Sequence, residues 1–407
     1  MFDHIKIEGF RSFKRVELDL APLSVLIGPN NGGKSNFLDL MSFMAEAGEG
    51  RLEKGIDSRG GYSSIAFGPH WLGDIVIEFR FKELSHISFI LEPPPDPLAK
   101  EKPDVRYKLA LTSPFEPSTT SHVRVEEVAA ELTSESPRQV SLMKRDANGC
   151  VFRWFHWDGT EGSEESKELE SKSELAIFQV KDLRKYPIPY HLLKQLQAWT
   201  LYRDINVGPE SPVRLPALLR PTLRLSENGA NLSSVLHSIQ QGRPDIWEEI
   251  LELLHTACPE FQDIRIPGGG GDGKVLLRWF EPPYEKEGVS PNLLSDGTLK
   301  FLCLIAILKS PDPPPLICID EPEIGLHPDW IKLVAEMMQS AAARTQLIVA
   351  THSPQIVAGL DPEQVIITEK ENGETRLRQL QRQDLEKWLK EFNLSDLWLA
   401  GHFGGRP

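Results

Sequence analysis

Residues 2–10, FDHIKIEGF, alternate apolar and polar positions, and residues 16–20, VELDL, do so again after a basic turn, so both are expected to be strands with one buried face. Residues 23–27, LSVLI, break that alternation as a strand buried on both faces would, and the run NFLDLMSFM at 36–44 has helical character. A Gly- and Ser-rich loop at 60–68 leads to a further alternating strand at 74–81. Strand-like pieces at 87–91, 105–111, 122–128 and 151–157, separated by turns such as PPP at 93–95, predict an antiparallel layer. The acidic stretch 161–174 reads as a mobile loop or linker. From Pro189 the period becomes helical. Ile246, Ile250, Leu253 and Leu254 share one face of a helix that starts near Pro244-Asp245 and stops at Cys258-Pro259. The glycine run at 267–273 has neither a lysine nor a following helix and is expected to be a flexible hairpin loop. The rest alternates α and β: a helix from Ser295, a strand at 316–319, a helix at 329–342, a strand at 346–349, a short helix after Ser353, a strand at 364–368 and an amphipathic helix at 384–392. No internal repeat stands out.

Composition narrows the classes. A chain of 407 residues with 40% hydrophobic side chains can bury two or three cores. No apolar run approaches the ~18 residues of a membrane span, and the first residues lack the layout of a secretion signal, so a cytoplasmic protein without a membrane partner is expected. Cys150, Cys258, Cys303 and Cys318 are too far apart for ligand pairs, and neither zinc nor disulfide is expected. The formal charge of −14 argues against non-specific coating of nucleic acid. Lys181, Arg184 and Lys185, and then Arg203, Arg214, Arg220 and Arg224, leave open either a local basic groove or a solvated face.

The chemistry is concentrated in a few segments. GPNNGGKS at 28–35 joins the apolar strand to the helical run with the spacing G-x-x-x-x-G-K-S. Glycines there let backbone N–H groups curl round a triphosphate, and the new helix points its positive end at the same anion. Lys34 is expected to reach the β- and γ-phosphates and Ser35 to hold Mg²⁺. The strand PLICI delivers Asp320 and Glu321 at its C-terminal end, where ligands bind in an open parallel sheet. Asp320 would join the Mg²⁺ shell and Glu321 would polarise the attacking water. His352 directly follows a second apolar strand and could donate to a γ-phosphate, although such a histidine can also be structural. Ser295 is a natural helix cap.

The order GPNNGGKS, LSDGT, LICIDEPEIGLHP, VATHSP resembles the nucleotide-binding head of ABC-type ATPases, in the branch containing RecF, SMC proteins and the ATPase half of OLD nucleases. IKIEGFRSF at 5–13 resembles that branch's first strand and turn. The resemblance implies an α/β P-loop fold with a β-rich insertion and a helical lobe. It divides the chain into an N-terminal head part (1–85), an insertion with an acidic linker (86–190), a helical lobe and hairpin (191–290) and a C-terminal head part (291–407). It makes 28–35 the Walker A loop, with Gly28, Asn30, Asn31, Gly32, Gly33, Lys34, Ser35 and the adjoining Asn36 on ATP. Asp320 and Glu321 become Walker B and its catalytic glutamate, His352 the switch histidine, Ser295 and Gly297 the signature, and Arg11 a neighbour of the nucleotide. Gly325-Leu326-His327-Pro328 falls at the loop that crosses between subunits. A head-to-head dimer sandwiching two ATP molecules follows from the same resemblance.

The chain departs from that family at two points. No glutamine lies between Ser35 and Gln139 to sense Mg²⁺, and no long heptad segment supplies SMC-like arms. The stretch after His352 is also too short for a TOPRIM nuclease domain, so a nuclease or toxin effector is expected on a separate chain. The implied function is a Mg²⁺-dependent ATPase switch in prokaryotic anti-phage defence. The alternatives are a RecF-like repair ATPase that binds DNA directly and an ATP-dependent scaffold with negligible hydrolysis.

Overall fold

A computed structural model describes residues 1–68, 71, 73–82, 104–113, 122–132, 138–146, 149–155, 161–183, 185–267 and 273–404. The expected strand at 87–91, the PPP turn, Arg184 and residues 268–272 of the glycine run lie outside them. The chain divides into two compact units, each assembled from separate stretches: residues 1–21, 30–199 and 367–379, and residues 22–29, 200–366 and 380–407.

The first unit is built on an eight-stranded antiparallel sheet. Its strands are β1 (Phe2–Phe10), β2 (Phe13–Asp19), β4 (Ile75–Phe81), β5 (Asp104–Leu111), β6 (Val123–Leu132), β7 (Arg138–Asp146), β8 (Gly149–Phe155) and β9 (Glu161–Lys167), in the order β2-β1-β4-β5-β6-β7-β8-β9. The alternation read from sequence is the burial pattern observed: Ile75, Ile77, Phe79 and Phe81 face inward while Val76, Glu78 and Arg80 do not. Helix α1 (Lys34–Gly48) packs on this face, with Phe43 against Phe10 at 6.1 Å and Phe37 edge-on to Phe13 at 6.3 Å between ring centroids. Burying each such ring stabilises by roughly 1.5–3 kcal/mol. Helices α2 (Leu52–Ser58), α3 (Tyr62–Ile65) and α4 (Pro187–Gln197) complete the unit.

The acidic stretch is not wholly a loop. Residues 161–167 form β9, the edge strand beside β8. Its carboxylates find cations, Glu164 pairing with Arg153 and Glu165 with Lys185, while Tyr186 Oη donates to Glu165 at 2.7 Å. Charge on an edge strand also deters pairing with another chain. Strand β7, RQVSLMKRD, is not among the expected strands. Glu126 of β6 is fully buried and accepts from the amides of Ala176 at 2.5 Å and Ile177 at 3.0 Å and from Tyr107 Oη at 3.2 Å.

In the second unit, β10 (Thr200–Tyr202), β15 (Leu316–Asp320), β16 (Gln346–Ala350) and β3 (Leu23–Ile27) lie side by side and parallel. β3 and β16 are buried along their whole length and β15 up to its last residue, which is why their sequences read as continuous apolar runs. The short ladders β11 (Ala217–Leu218) with β13 (Lys274–Val275) and β12 (Asp263–Arg265) with β14 (Arg278–Phe280) accompany helices α5 (Leu232–Gly242) and α6 (Pro244–Ala257). On α6 the inward residues are Trp247, Ile250 and Leu254, with Ile246 and Leu253 only half-buried. Helix α7 (Asp296–Leu308) is capped by Ser295, whose Oγ accepts from Thr298 N at 3.1 Å, and is apolar nearly all round because it is enclosed. Helices α8 (Pro328–Ala341) and α9 (Pro354–Val357) follow the expected boundaries. Strand β17 (Val365–Glu371) starts in this unit and ends in the other. An Asn372-Gly373 turn, with φ of 51° and 85°, returns it as β18 (Glu374–Gln379).

The helix expected at 384–392 is cut short. α10 spans Arg382–Leu385, turns follow, and α11 (Leu394–Leu399) closes the described chain. Leu385 is buried but Trp388 and Phe392 stay exposed, so beyond Leu385 little apolar burial holds a longer helix.

Candidate nucleotide site

The phosphate loop begins in the second unit, at Gly28 and Pro29, and continues in the first from Asn30. Within the first unit, Asn31 and Gly33 take left-handed backbone angles, φ 64° and 110°, before α1 starts at Lys34. A Cβ at Gly33 would collide with the Thr375 side chain, so only glycine fits. No side chain caps α1 and no acidic residue stands in its first turn. Its leading N–H groups and positive dipole end therefore have no built-in carboxylate partner, which is the arrangement an incoming anion needs. Lys34 is only 5% exposed, while Asn30, Asn31 and Ser35 face outward.

Two residues with no sequence signal brace the loop. Ser12, in the β1–β2 turn, accepts from Asn36 Nδ2 at 2.7 Å, and Thr375 Oγ1 lies 2.8 Å from Ser12 Oγ and 3.1 Å from Gly32 O. Arg11, at φ 47°, places its guanidinium 2.7 Å from Asp39 of α1 and leaves Nε buried without a partner among the described residues. Arg59 completes this cluster, reaching Asp39 at 3.1 Å and Glu46 at 2.8 Å. Burial opposes ionisation of Glu46, but the Arg59 guanidinium bonded to it still holds its carboxyl below the ordinary value.

Within the second unit, the parallel strands bring their C-terminal ends to one edge. Gly28 leaves β3 there, Asp320 and Glu321 leave β15, and Thr351 and His352 leave β16. Cross-strand bonds fix the register, Glu321 N donating to Ala350 O at 2.8 Å and Thr351 N to Leu26 O at 3.1 Å. Glu321 adopts φ 50°, and its Oε1 lies 3.7 Å from His352 Nε2. Asp320 is largely buried, with Arg203 Nε 3.8 Å away. Lys300 of α7 donates to Glu321 O at 3.4 Å. Burial lowers the Lys300 pKa in spite of the carboxylates of Glu323, Asp204 and Glu321 around it.

Ser295 and Gly297 stand at the start of α7, and a Cβ on Gly297 would lie 2.7 Å from Gly325 O, in the loop after β15. Arg214, one of the expected basic patch, is instead 4% exposed and structural: it donates to Val207 O at 2.9 Å, Leu294 O at 3.0 Å and Asp296 at 2.5 Å. His327 caps α8 through Asp329 N at 3.3 Å. Among the described residues no cluster of three His, Cys, Asp or Glu side chains forms a metal cage. Mg²⁺ on a nucleotide does not require one, since a hydroxyl, a carboxylate and phosphate oxygens suffice. No helix among the described residues is long and apolar enough to cross a membrane.

Parallel strands that end in a phosphate loop, an acid pair and a histidine define the class: a P-loop NTPase fold of mixed α/β architecture. Two family profiles match the chain. Residues 1–153 match AAA_15, an AAA ATPase domain, and residues 212–358 match AAA_21, an AAA domain whose description names the AbiEii toxin and a type IV TA system. No curated protein matches. Among solved structures, an SmcHead bound to the C-winged helix domain of ScpA aligns with TM-score 0.55 and 14% identity over 94% of this chain and 99% of that one. A Smc head domain with an extended coiled coil, derived from Pyrococcus furiosus and bound to the C-terminal domain of ScpA, aligns with TM-score 0.53 and 12% identity over 96% and 98%. The profiles mark AAA-type ATPase domains over parts of the chain, and its mixed α/β fold is similar to that of SMC heads.

Proposed function

We propose that the protein is an ATP-driven switch that binds MgATP, closes head to head around two nucleotides and reopens on hydrolysis to ADP and phosphate. The observation that carries this reading is the shared sheet edge, where Glu321 is held in a left-handed conformation beside His352 and next to the start of the phosphate loop. Lys34 and the leading amides of α1 hold the phosphates, with Asn30, Asn31, Gly32 and Asn36 lining the loop. Ser35 and Asp320 are the groups that would hold Mg²⁺, which when bound neutralises charge on the transferring phosphoryl group. Glu321 orients water and His352 donates to the γ-phosphate. Ser295 and Gly297 read the nucleotide of the opposing head, and Arg11 braces the loop through Asp39.

The profile that names the AbiEii toxin and a type IV TA system supports a place in a toxin system; prokaryotic anti-phage defence with a separate nuclease or toxin effector chain is the form of it proposed here. The ScpA-bound head among the similar structures supports a partner chain in general. Direct DNA binding, as in a RecF-like repair factor, and a scaffold with negligible turnover are the outcomes that oppose it.

The test is ATP turnover with and without duplex DNA, together with the mass of the Glu321→Gln protein in MgATP. Lys34→Ala is expected to abolish ATP binding. Glu321→Gln is expected to keep binding, lose at least about 100-fold in turnover and sediment as a dimer. Normal turnover by Glu321→Gln removes the catalytic assignment. DNA-stimulated turnover with a steep salt dependence moves the protein to repair.

A further inference from the structure

The acid loop DEPE carries a third carboxylate, Glu323, that the reading above leaves without a role. One of its oxygens, Oε1, accepts from both the Thr351 hydroxyl and the His352 amide, each at 2.7 Å. The other, Oε2, is buried and has no hydrogen-bond partner among the described residues. The loop after β16 does not need this carboxylate to close, because Thr351 Oγ1 already accepts from Ser353 N at 2.9 Å. A desolvated oxygen left unpaired has a local cost, so the contact with His352 is maintained against it.

We infer that Glu323 is a positioning residue for His352: its carboxylate ties the loop after β16 to the acid loop after β15 and keeps the imidazole facing Glu321. The inference rests on the ATPase reading. The amide that Glu323 holds belongs to His352 itself, so fixing it fixes the backbone from which the imidazole extends. Glu321 and Glu323 lie two residues apart on one loop, so the two bonds that Glu323 accepts couple the catalytic carboxylate and the histidine as one unit.

The experiment uses the full chain with Glu323→Ala, Glu323→Gln, His352→Ala and the double variant Glu323→Ala/His352→Ala. Turnover and the affinity for a fluorescent ATP analogue are measured, and the His352 imidazole resonance is followed after histidine-selective labelling. In Glu323→Ala, kcat is expected to fall roughly 30-fold, short of the about 100-fold that misplacing a group by 1 Å can cost, with affinity unchanged within about twofold. Glu323→Gln keeps an acceptor oxygen and should recover to within about fivefold of the parent. Adding Glu323→Ala to His352→Ala should cost no more than about twofold further, because the two act through one group. The His352 resonance should shift in Glu323→Ala and return in Glu323→Gln. Multiplicative losses in the double variant, or affinity falling as much as kcat, would show a merely structural residue and overturn the inference. Wild-type turnover by Glu323→Ala alone overturns it too, whereas wild-type turnover by His352→Ala removes the role of His352 itself and this inference with it. Should the parent bind ATP without turning it over, the ATPase reading fails separately, and an unmoved His352 resonance then overturns the inference while a shifted one sustains it.

Discussion

Glu321 shows how a site is made at the level of one residue. A non-glycine residue at φ 50° costs about 1–3 kcal/mol and persists only where its surroundings fix it. Here the amide donates to Ala350 O and the carbonyl accepts from Lys300. Arg11 and Asn31 share the same unusual backbone region, while the fourth such residue, Asn372, belongs to an ordinary hairpin turn. Gly297 makes the complementary point, since its lack of a side chain admits Gly325 O. Gly297→Ala puts a methyl 2.7 Å from that oxygen. It is expected to destabilise by about 1–3 kcal/mol, measured by denaturant midpoint, and to slow turnover; an unchanged midpoint would mean the two loops part without cost.

At the level of elements, α1 is anchored by charge at its side rather than by a cap at its end. Asp39 and Glu46 receive Arg11 and Arg59, and no side chain caps the helix N-terminus. The sign of the pH dependence follows. Glu46 is held below its ordinary value of 4.5, so its stabilising contribution is complete above 4.5 and is lost as pH falls through the folded value. Glu126 has the opposite sign: burial raises it above 4.5 despite the amides of Ile177 and Ala176, so its contribution is complete at low pH and is lost as pH rises through the folded value. Unfolding followed across pH should therefore show a shallower acid limb in Glu46→Gln. Glu126→Gln should be less pH-sensitive than the parent on the alkaline side of that limb. A Glu46→Gln curve parallel to the parent would mean that Arg59 contributes no ionic stabilisation.

At the level of the molecule, both units are discontinuous, and β3 shows the consequence. Its five residues are buried in the second unit's sheet, yet they come from the start of the chain. A fragment beginning at Thr200 lacks β3 and exposes the apolar flank of β16. It is expected to aggregate, whereas the same fragment with residues 20–29 supplied by a linker should elute as a discrete species in size-exclusion chromatography. A soluble, cooperatively folding fragment without β3 would show that the strand is not integral to that unit.

Much of this was legible in the sequence because local periodicity and one contiguous motif carry it. Runs such as LSVLI and LICID identified the buried parallel strands, DIVIEFRF the one-sided antiparallel strand, and GPNNGGKS the loop between strand and helix. What the sequence could not give depends on partners remote along the chain. β9 is a strand only because β8 offers a pairing edge, and 384–392 fails as a helix for want of a surface to bury Trp388. Nothing local in the sequence marks Glu126 as buried; the amides of Ala176 and Ile177, some fifty residues on, close over it. Ser12 meets Thr375, and Glu323 meets His352, because strands far apart in sequence are neighbours in space. Residue order determined the elements and the phosphate-binding loop, since each depends on interactions within a few residues. Tertiary packing alone decided which carboxylates are buried, which backbones are held strained and which side chains brace the acid edge, because those depend on desolvation and hydrogen bonds between distant segments.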